Sequence, residues 1–260
     1  MDICKFRAVA SAAAMLFAAT FSLHASAGVA SNGQRMPSAA PAGAAMLAAD
    51  PGVIPIQARP YGKSYSEWAI VWWKWALEIP ARRHPLLDSA LCNGWQSGRV
   101  WFLGGTLTGD GRPVFRSCTI PPGKALFFPL ISSAWFSFLN DPPEFRTEEF
   151  VRAFTECTDA RLDVTIDGTK LATPTRYLER SYSHDIIQLP VDNVFGLPES
   201  VVPELKLTDY GDFGYYLFLP PLPVGTHHIQ WTAQMTCTWG GDTPFNLYQN
   251  IGYHITVSPN

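Results

Sequence analysis

Short runs of β-branched and aromatic residues, bounded by Gly, Pro or Asp-Gly, recur along most of this chain and are typical of strands. Within "IDGTK" at residues 166–170, Asp167-Gly168 is a strong hairpin signal. Many short strands with few helices predict a mainly β fold, a β-sandwich or jelly roll. The eight runs are "RVWFLGG", "PVFRSC", "KALFFPL", "RLDVTI", "RYLERSY", "YYLFLP", "HHIQWTA" and "IGYHITV".

A stretch with four tryptophans within eight residues, in "EWAIVWWKWALEIP" at 67–80, predicts an N-terminal helix instead. Ser64 and Glu67 have the spacing of a capping box, which satisfies backbone donors where a helix begins. At about 100° per residue, apolar side chains cover most of the circumference and leave a narrow polar strip. Such a helix is usually buried against a sheet, so we expect most of its tryptophans to lie in the core.

The four tryptophans differ in their expected exposure. Trp68, Trp72 and Trp75 fall on one stripe of the helix, whereas Trp73 projects to its flank. We therefore expect Trp73 to be the most exposed of the four, and we select it as a candidate ligand-binding residue. A membrane-surface helix would need several basic residues, but Lys74 stands alone beside two glutamates.

One further short helix is predicted after Thr147, which can cap the segment "EEFVRAFTEC". Phe150, Phe154 and Cys157 then share one face by their i, i+4, i+7 spacing. The helix is expected to point Cys157 inward, toward a strand near Cys237.

The N-terminus has the features of a signal peptide, residues 1–27. Two basic residues, Lys5 and Arg7, precede an apolar run at 8–23, and Ala25 and Ala27 form an A-x-A cleavage pattern. The run is shorter than a membrane span, and no later segment predicts one. We expect a secreted or periplasmic protein with a flexible tether at 28–52 and a single domain at 53–260.

Removing the leader leaves an even number of cysteines, which in an oxidising compartment predicts disulfides. Four cysteines allow three pairings. We favour Cys92 with Cys118 and Cys157 with Cys237, because the first pair brackets one strand-rich segment. The alternative is four separate buried thiols.

Five blocks of the sequence together resemble a family of exported bacterial proteins of unassigned function. The resemblance covers nearly the whole mature domain and implies that the blocks belong to one domain, but it implies no activity. The blocks are "YGKSYSEWAIVWWKWALEIP", "CNGWQSGRVWFLGG", "RSCTIPPGKALFFPL", "VTIDG" and "LPPLPVGTHHI".

Several function classes are disfavoured. A formal net charge of -3 without a basic run argues against nucleic-acid binding. No G-x-S-x-G, H-E-x-x-H, Walker or dinucleotide motif is present, and Ser97 in "QSG" has no marked base. Asp209 and Asp212 in "TDYGDFG" are interpreted as part of a polar loop, with a cation site or an acid–base pair as the alternative.

Two histidines are the candidate metal ligands. Alternation along "THHIQWTA" and "NIGYHITV" puts His228 and His254 on the polar faces of two strands, and His227 on the apolar face. If the strands form a hairpin around Gly240 and Gly241, His228 lies opposite His254. The pair is then either a zinc or copper site or a surface histidine pair. It is the one divalent-metal site that we consider.

Polar residues beside apolar runs form the second candidate site. Gln96, Arg116 and Lys124 flank "VWFLGG", "SCTIP" and "ALFFP". They either reach water at strand ends or share a polar pocket for a small ligand, with Glu67 or Asp88 as counter-ion.

The leading hypothesis is an exported, non-catalytic β-sandwich that binds a ligand or partner at the cell envelope, with carbohydrate favoured by nine tryptophans. The first alternative is an enzyme or metal-binding protein that uses the polar pocket or the histidine pair. The second is a structural envelope protein without a small ligand. The sequence leaves the oligomeric state open.

Overall fold

A computed structural model of the chain describes residues 50, 52–87, 92–200, 206–241 and 243–259. The predicted signal peptide, most of the predicted tether and Asp88 therefore lie outside the described residues. Asp50, at the end of the predicted tether, is buried and accepts a 2.7 Å hydrogen bond from the backbone N–H of Ala172. The folded chain thus includes residues just before the predicted start at Val53.

The described residues form two α-helices and ten strands, connected by turns and short 3-10 helices. Seven of the eight predicted runs lie wholly or largely in strands, and "RVWFLGG" supplies a strand of three residues. The helices are α1 (Tyr65–Glu78) and α2 (Glu148–Thr155), and the strands are β1 (Val100–Phe102), β2 (Val114–Ile120), β3 (Ala125–Phe138), β4 (Cys157–Ile166), β5 (Thr169–Lys170), β6 (Leu178–Ser183), β7 (Ile187–Gln188), β8 (Lys206–Leu219), β9 (Gly225–Cys237) and β10 (Phe245–Val257).

The strands form two mixed sheets that pack as a sandwich. Sheet A has the order β1-β3-β8-β6, with β7 also pairing β8, and sheet B has the order β2-β10-β9-β4-β5. The β1–β3 and β2–β10 pairs are parallel, and the other pairs are antiparallel. Between the sheets, the ring of Phe128 lies 5.2 Å from that of Trp231, whose Nε1 donates to the Leu130 carbonyl at 2.9 Å. The predicted β-sandwich is confirmed.

Helix α1 covers the face of sheet A that points away from sheet B. Its capping box forms as predicted, because the Ser64 hydroxyl accepts from the Glu67 N–H while the Glu67 carboxylate accepts from the Ser64 N–H. The ring of Trp68 packs edge-on against Phe218 of β8 at 5.7 Å. The helix is therefore largely core, as its narrow polar strip predicts.

Both favoured disulfides are present, Cys92–Cys118 and Cys157–Cys237. The expected position of Cys157 is wrong, however, since α2 ends at Thr155 and Cys157 is the first residue of β4. There it lies directly opposite Cys237 of β9, with 4.4 Å between the Cα atoms. The disulfide links two paired strands rather than a helix and a strand.

The interpretation of "TDYGDFG" as a polar loop is also wrong, because these residues lie within β8. The two glycines explain how such a composition forms a central strand. A Cβ at Gly211 would meet the Ser181 carbonyl at 2.1 Å, and one at Gly214 would meet the Ser132 Cβ at 2.6 Å. Only glycine allows the neighbouring strands to approach this closely.

Among the described residues, neither helix has the length and apolar character that crossing a membrane requires.

Candidate functional site

The three predicted pocket residues do not meet in one pocket; each binds the backbone of the segment 98–105. The amide of Gln96 bonds both the N–H and the carbonyl of Phe102, at 2.9 and 2.8 Å. The exposed Lys124 ammonium donates to the Gly98 carbonyl. Glu67, one of the two expected counter-ions, instead pairs with Arg59 at 2.8 Å. The side chains of Gln96 and Lys124 thus hold the short strand β1 in place.

Arg116 is the buried member of this set, with 3% of its surface exposed. Its guanidinium donates to the carbonyls of Gly104 and Gly105 at 2.9 and 3.0 Å, and to the Tyr253 hydroxyl at 3.2 Å. The interpretation that Arg116 reaches water at a strand end is therefore wrong. Its hydrogen bonds stabilise the chain where it leaves β1, so it has a structural role.

The expectation that Trp73 is the most exposed of the four tryptophans is wrong. Trp73 is 7% exposed and packs edge-on against Phe136 of β3 at 5.0 Å, whereas Trp75 is only partly buried. The flank of the helix that holds Trp73 faces sheet A, while the stripe that holds Trp72 faces the end of β1. The ring of Trp73 lines a cavity of about 110 Å³, which is smaller than typical ligand pockets.

Behind Trp73 lies a fully buried carboxyl group, Asp212 of β8. It accepts hydrogen bonds from the Ser181 and Tyr216 hydroxyls. The Trp73 Nε1–H also acts to lower the pKa of Asp212, although it makes no hydrogen bond of normal geometry. Burial outweighs these donors and raises the pKa of Asp212 to about 6. The nearby Glu179 has its pKa raised to about 7, first by burial and then by the Asp212 charge.

Asp209 points to the opposite face of sheet A. Its carboxylate accepts from His184 Nδ1 at 2.7 Å, the Tyr182 hydroxyl at 3.1 Å and Arg146 Nε at 3.1 Å. Burial acts to raise its pKa, but these three partners lower it overall. Because Asp209 and Asp212 lie on different faces, they do not form the acid–base pair considered as an alternative.

The outer face of sheet B, defined as the face that points away from sheet A, is a continuous polar surface. Alternation along β9 and β10 directs apolar side chains such as Trp231 and Ile251 into the core and their neighbours outward. The outward side chains are Thr226, His228, Gln230, Thr232, Gln234 and Thr236 on β9, and Asn246, Tyr248, Asn250, His254 and Thr256 on β10.

An exposed aromatic ring lies on this surface. Phe115 of β2 is 71% exposed, the most exposed large hydrophobic residue described. It is paired with Gly252 of β10, and a Cβ added to Gly252 would meet its ring at 2.5 Å. The missing side chain of Gly252 therefore makes room for the Phe115 ring against the sheet. The next strand presents the Gln230 amide beside it, because Gln230 is the β9 partner of Gly252.

A second aromatic ring lies further along the same face. Tyr248 is 37% exposed and shares a row with Gln234 of β9 and Arg161 of β4. Together with Thr232 and Asn250 of the next row, these side chains line a shallow depression of about 250 Å³. Tyr248 and Gly252 are four residues apart, which corresponds to about 14 Å at about 3.4 Å per residue.

The predicted histidine pair is formed. His228 and His254 are direct partners across β9 and β10, both are exposed, and their ring centroids are 4.7 Å apart. His227 points inward, as predicted, and its Nδ1 bonds the Asp167 carboxylate at 2.7 Å. Burial acts to lower the pKa of His227, but Asp167 and the Pro223 carbonyl raise it overall.

Phe115, Tyr248 and the amides around them were not among the residues selected from the sequence. Phe115 sits between "PV" and "RSC", where an outward aromatic cannot be distinguished from a core residue by composition. The detectable signal was alternation, since Cys118 and Ile120 are inward-facing residues of the same strand, which places Phe115 on the outer face. Comparison of the chain with protein-family models, curated proteins and solved structures finds no match.

Proposed function

We propose that this protein binds an extended carbohydrate chain on the outer face of sheet B, without catalysis. The observation behind the proposal is the exposed Phe115 ring seated over Gly252, in line with Tyr248 and surrounded by amides and hydroxyls. The face of an aromatic ring is electron-rich and attracts the C–H groups of a sugar ring. Amide and hydroxyl side chains both donate and accept hydrogen bonds, as sugar hydroxyls require.

The spacing of the two rings favours a chain over a single sugar. A separation of about 14 Å along β10 exceeds one sugar ring, so that both rings can engage only an oligosaccharide. The amides of Gln230, Asn250 and Gln234 lie between or beside them.

Other partner classes are less well supported by this surface. A stable protein interface usually has a hydrophobic core, yet the large hydrophobic residues described as exposed on this face are Phe115 and Tyr248 alone. Nucleic acid would require clustered basic residues, and Arg161 stands beside Asp163 and Thr232.

The proposal includes export. Two disulfides are typical of proteins from oxidising compartments, and the sequence predicts cleavage after Ala27. Intact-mass measurement of protein made by its native host should give a chain that begins at Gly28. Retention of Met1 would contradict export by this signal.

The function is tested by binding to a panel of immobilised oligosaccharides of two to six units, followed by calorimetry with those retained. We expect affinity to increase with chain length until both rings are engaged. Phe115→Ala and Tyr248→Ala should each weaken binding by at least about tenfold, equivalent to about 1.4 kcal/mol.

Ile186→Ala is the matched control, because it removes a 53% exposed apolar side chain outside the outer face of sheet B. It should bind like the parent. If no glycan is retained, or if Phe115→Ala and Tyr248→Ala both bind as the parent does, carbohydrate binding at this face is wrong.

A further inference from the structure

The histidine pair has a geometry that the glycan proposal does not use. His228 and His254 face each other across two antiparallel strands, with their rings nearly perpendicular at 75° and their centroids 4.7 Å apart. A zinc ion held by two nitrogens at about 2.0–2.1 Å in tetrahedral geometry needs those nitrogens about 3.3 Å apart. Two exposed rings with centroids 4.7 Å apart are compatible with that separation, because their side chains can rotate.

The ring nitrogens of the pair are also available. Neither imidazole makes a hydrogen bond or ion pair with any residue that the structure describes. The two rings contact each other. The other described histidines differ: His84 bonds the Ala76 carbonyl, and His184 and His227 each bond a carboxylate. Two unengaged imidazoles in van der Waals contact are free to ligate without breaking an existing interaction.

The surroundings favour a cation. Asp167 accepts the backbone N–H of His228 at 2.7 Å, which places a carboxylate beside the pair. On the other side of His254 the neighbouring strand presents the small Ser117 side chain. The space above the pair is therefore not filled by a large neighbour from β2.

We propose that His228 and His254 form an exchangeable site for a late first-row divalent metal ion, with Cu²⁺ bound more tightly than Zn²⁺. Imidazole nitrogen is a preferred ligand of both ions, and Cu²⁺ gives the higher affinity in the usual order of divalent metals. Across the described ranges, no group of three or more His, Cys, Asp or Glu side chains is arranged to hold a metal. The described residues thus supply two ligands, and water completes the coordination of the ion.

Titration of the untagged protein with Cu²⁺ tests this site, measured by calorimetry and by electron paramagnetic resonance. The parent should bind one equivalent that shows coupling to two imidazole nitrogens. His228→Gln and His254→Gln should each weaken that equivalent by at least about tenfold, since a single imidazole cannot chelate.

His184→Gln is the matched control, because it removes an exposed histidine, 77% accessible at its side chain, from a different part of the surface. It should keep the full affinity for Cu²⁺. The proposal is overturned if the His228→Gln, His254→Gln double variant retains the two-nitrogen signal, or if His184→Gln removes it as effectively. Circular dichroism of every variant distinguishes loss of the site from loss of the fold. The Phe115→Ala variant, which tests the glycan proposal, should leave Cu²⁺ binding unchanged.

Discussion

The indole Nε1 of Trp72 donates a 2.8 Å hydrogen bond to the backbone carbonyl of Leu103, just beyond the end of β1. This bond joins α1 to the edge of sheet A, and the Trp72 side chain itself is only 2% exposed. Trp72→Ala removes a large buried ring and leaves the carbonyl without its indole donor. We expect the free energy of unfolding to fall by about 3–5 kcal/mol, as measured by urea denaturation.

Trp75→Ala is the control on the same helix. Trp75 is only partly buried, and its Nε1 bonds the carbonyl of the exposed Trp95 at 3.0 Å. Its truncation should lower the free energy of unfolding by clearly less than that of Trp72. Equal midpoints for Trp72→Ala and the parent would contradict the assignment of Trp72 to the core.

Asp212 predicts that stability decreases as the pH rises from about 4 to 7. Its pKa is raised from 3.8 to about 6 by burial, so the folded chain holds the proton more tightly than the unfolded chain. The resulting stability is complete below the unfolded pKa and is lost as the pH rises through the folded value. At about 1.4 kcal/mol per pKa unit, the loss is about 3 kcal/mol.

Asp212→Asn tests this directly, since an amide does not titrate in this range. Urea denaturation at intervals between pH 4 and pH 8 should show a flatter dependence of unfolding free energy for the variant. Glu179, with its pKa raised to about 7, contributes in the same direction and keeps some slope in the variant. Parallel curves for parent and variant would show that Asp212 is not protonated preferentially in the folded chain.

Local spacing was sufficient to predict the features that depend on neighbouring residues. The capping box of Ser64 and Glu67 is visible in four residues of sequence, and it begins α1 as predicted. Period-two alternation also fixed the hairpin of β9 and β10, because matching their apolar faces leaves His228 opposite His254. In both cases the sequence pattern and the packing point to the same structure.

Features that depend on distant partners could not be predicted in this way. Asp212 lies in a strand because donors satisfy its carboxyl group, and one of them, Ser181, is 31 residues away on another strand. The same holds for Arg116, whose partners are backbone carbonyls of the segment that leaves β1. Trp73 was misplaced because the helix is covered on two sides, which a single amphipathic stripe does not reveal.

The two disulfides should stabilise the fold to different extents. Cys157 and Cys237 are 80 residues apart, whereas Cys92 and Cys118 are 26 apart. In the chain-entropy description, the longer loop is worth about 4.5 kcal/mol and the shorter about 3.5 kcal/mol. Paired Cys→Ser variants, compared by urea denaturation, should therefore differ by about 1 kcal/mol. The opposite order would contradict a stabilisation governed by loop length.

Gly252 should control glycan binding without controlling the fold. A Cβ at this position would meet the Phe115 ring at 2.5 Å, so Gly252→Ala must displace that ring from the sheet. The ring is 71% exposed and can move into solvent, and the unfolding free energy should change by less than about 1 kcal/mol. Glycan affinity should nevertheless fall about as far as in Phe115→Ala, as measured by calorimetry with the same oligosaccharide.

Gly94→Ala is the control, since a Cβ there meets no atom within 4 Å. A Gly252→Ala variant that binds glycan like the parent would show that the position of the Phe115 ring against the sheet is not what the ligand recognises.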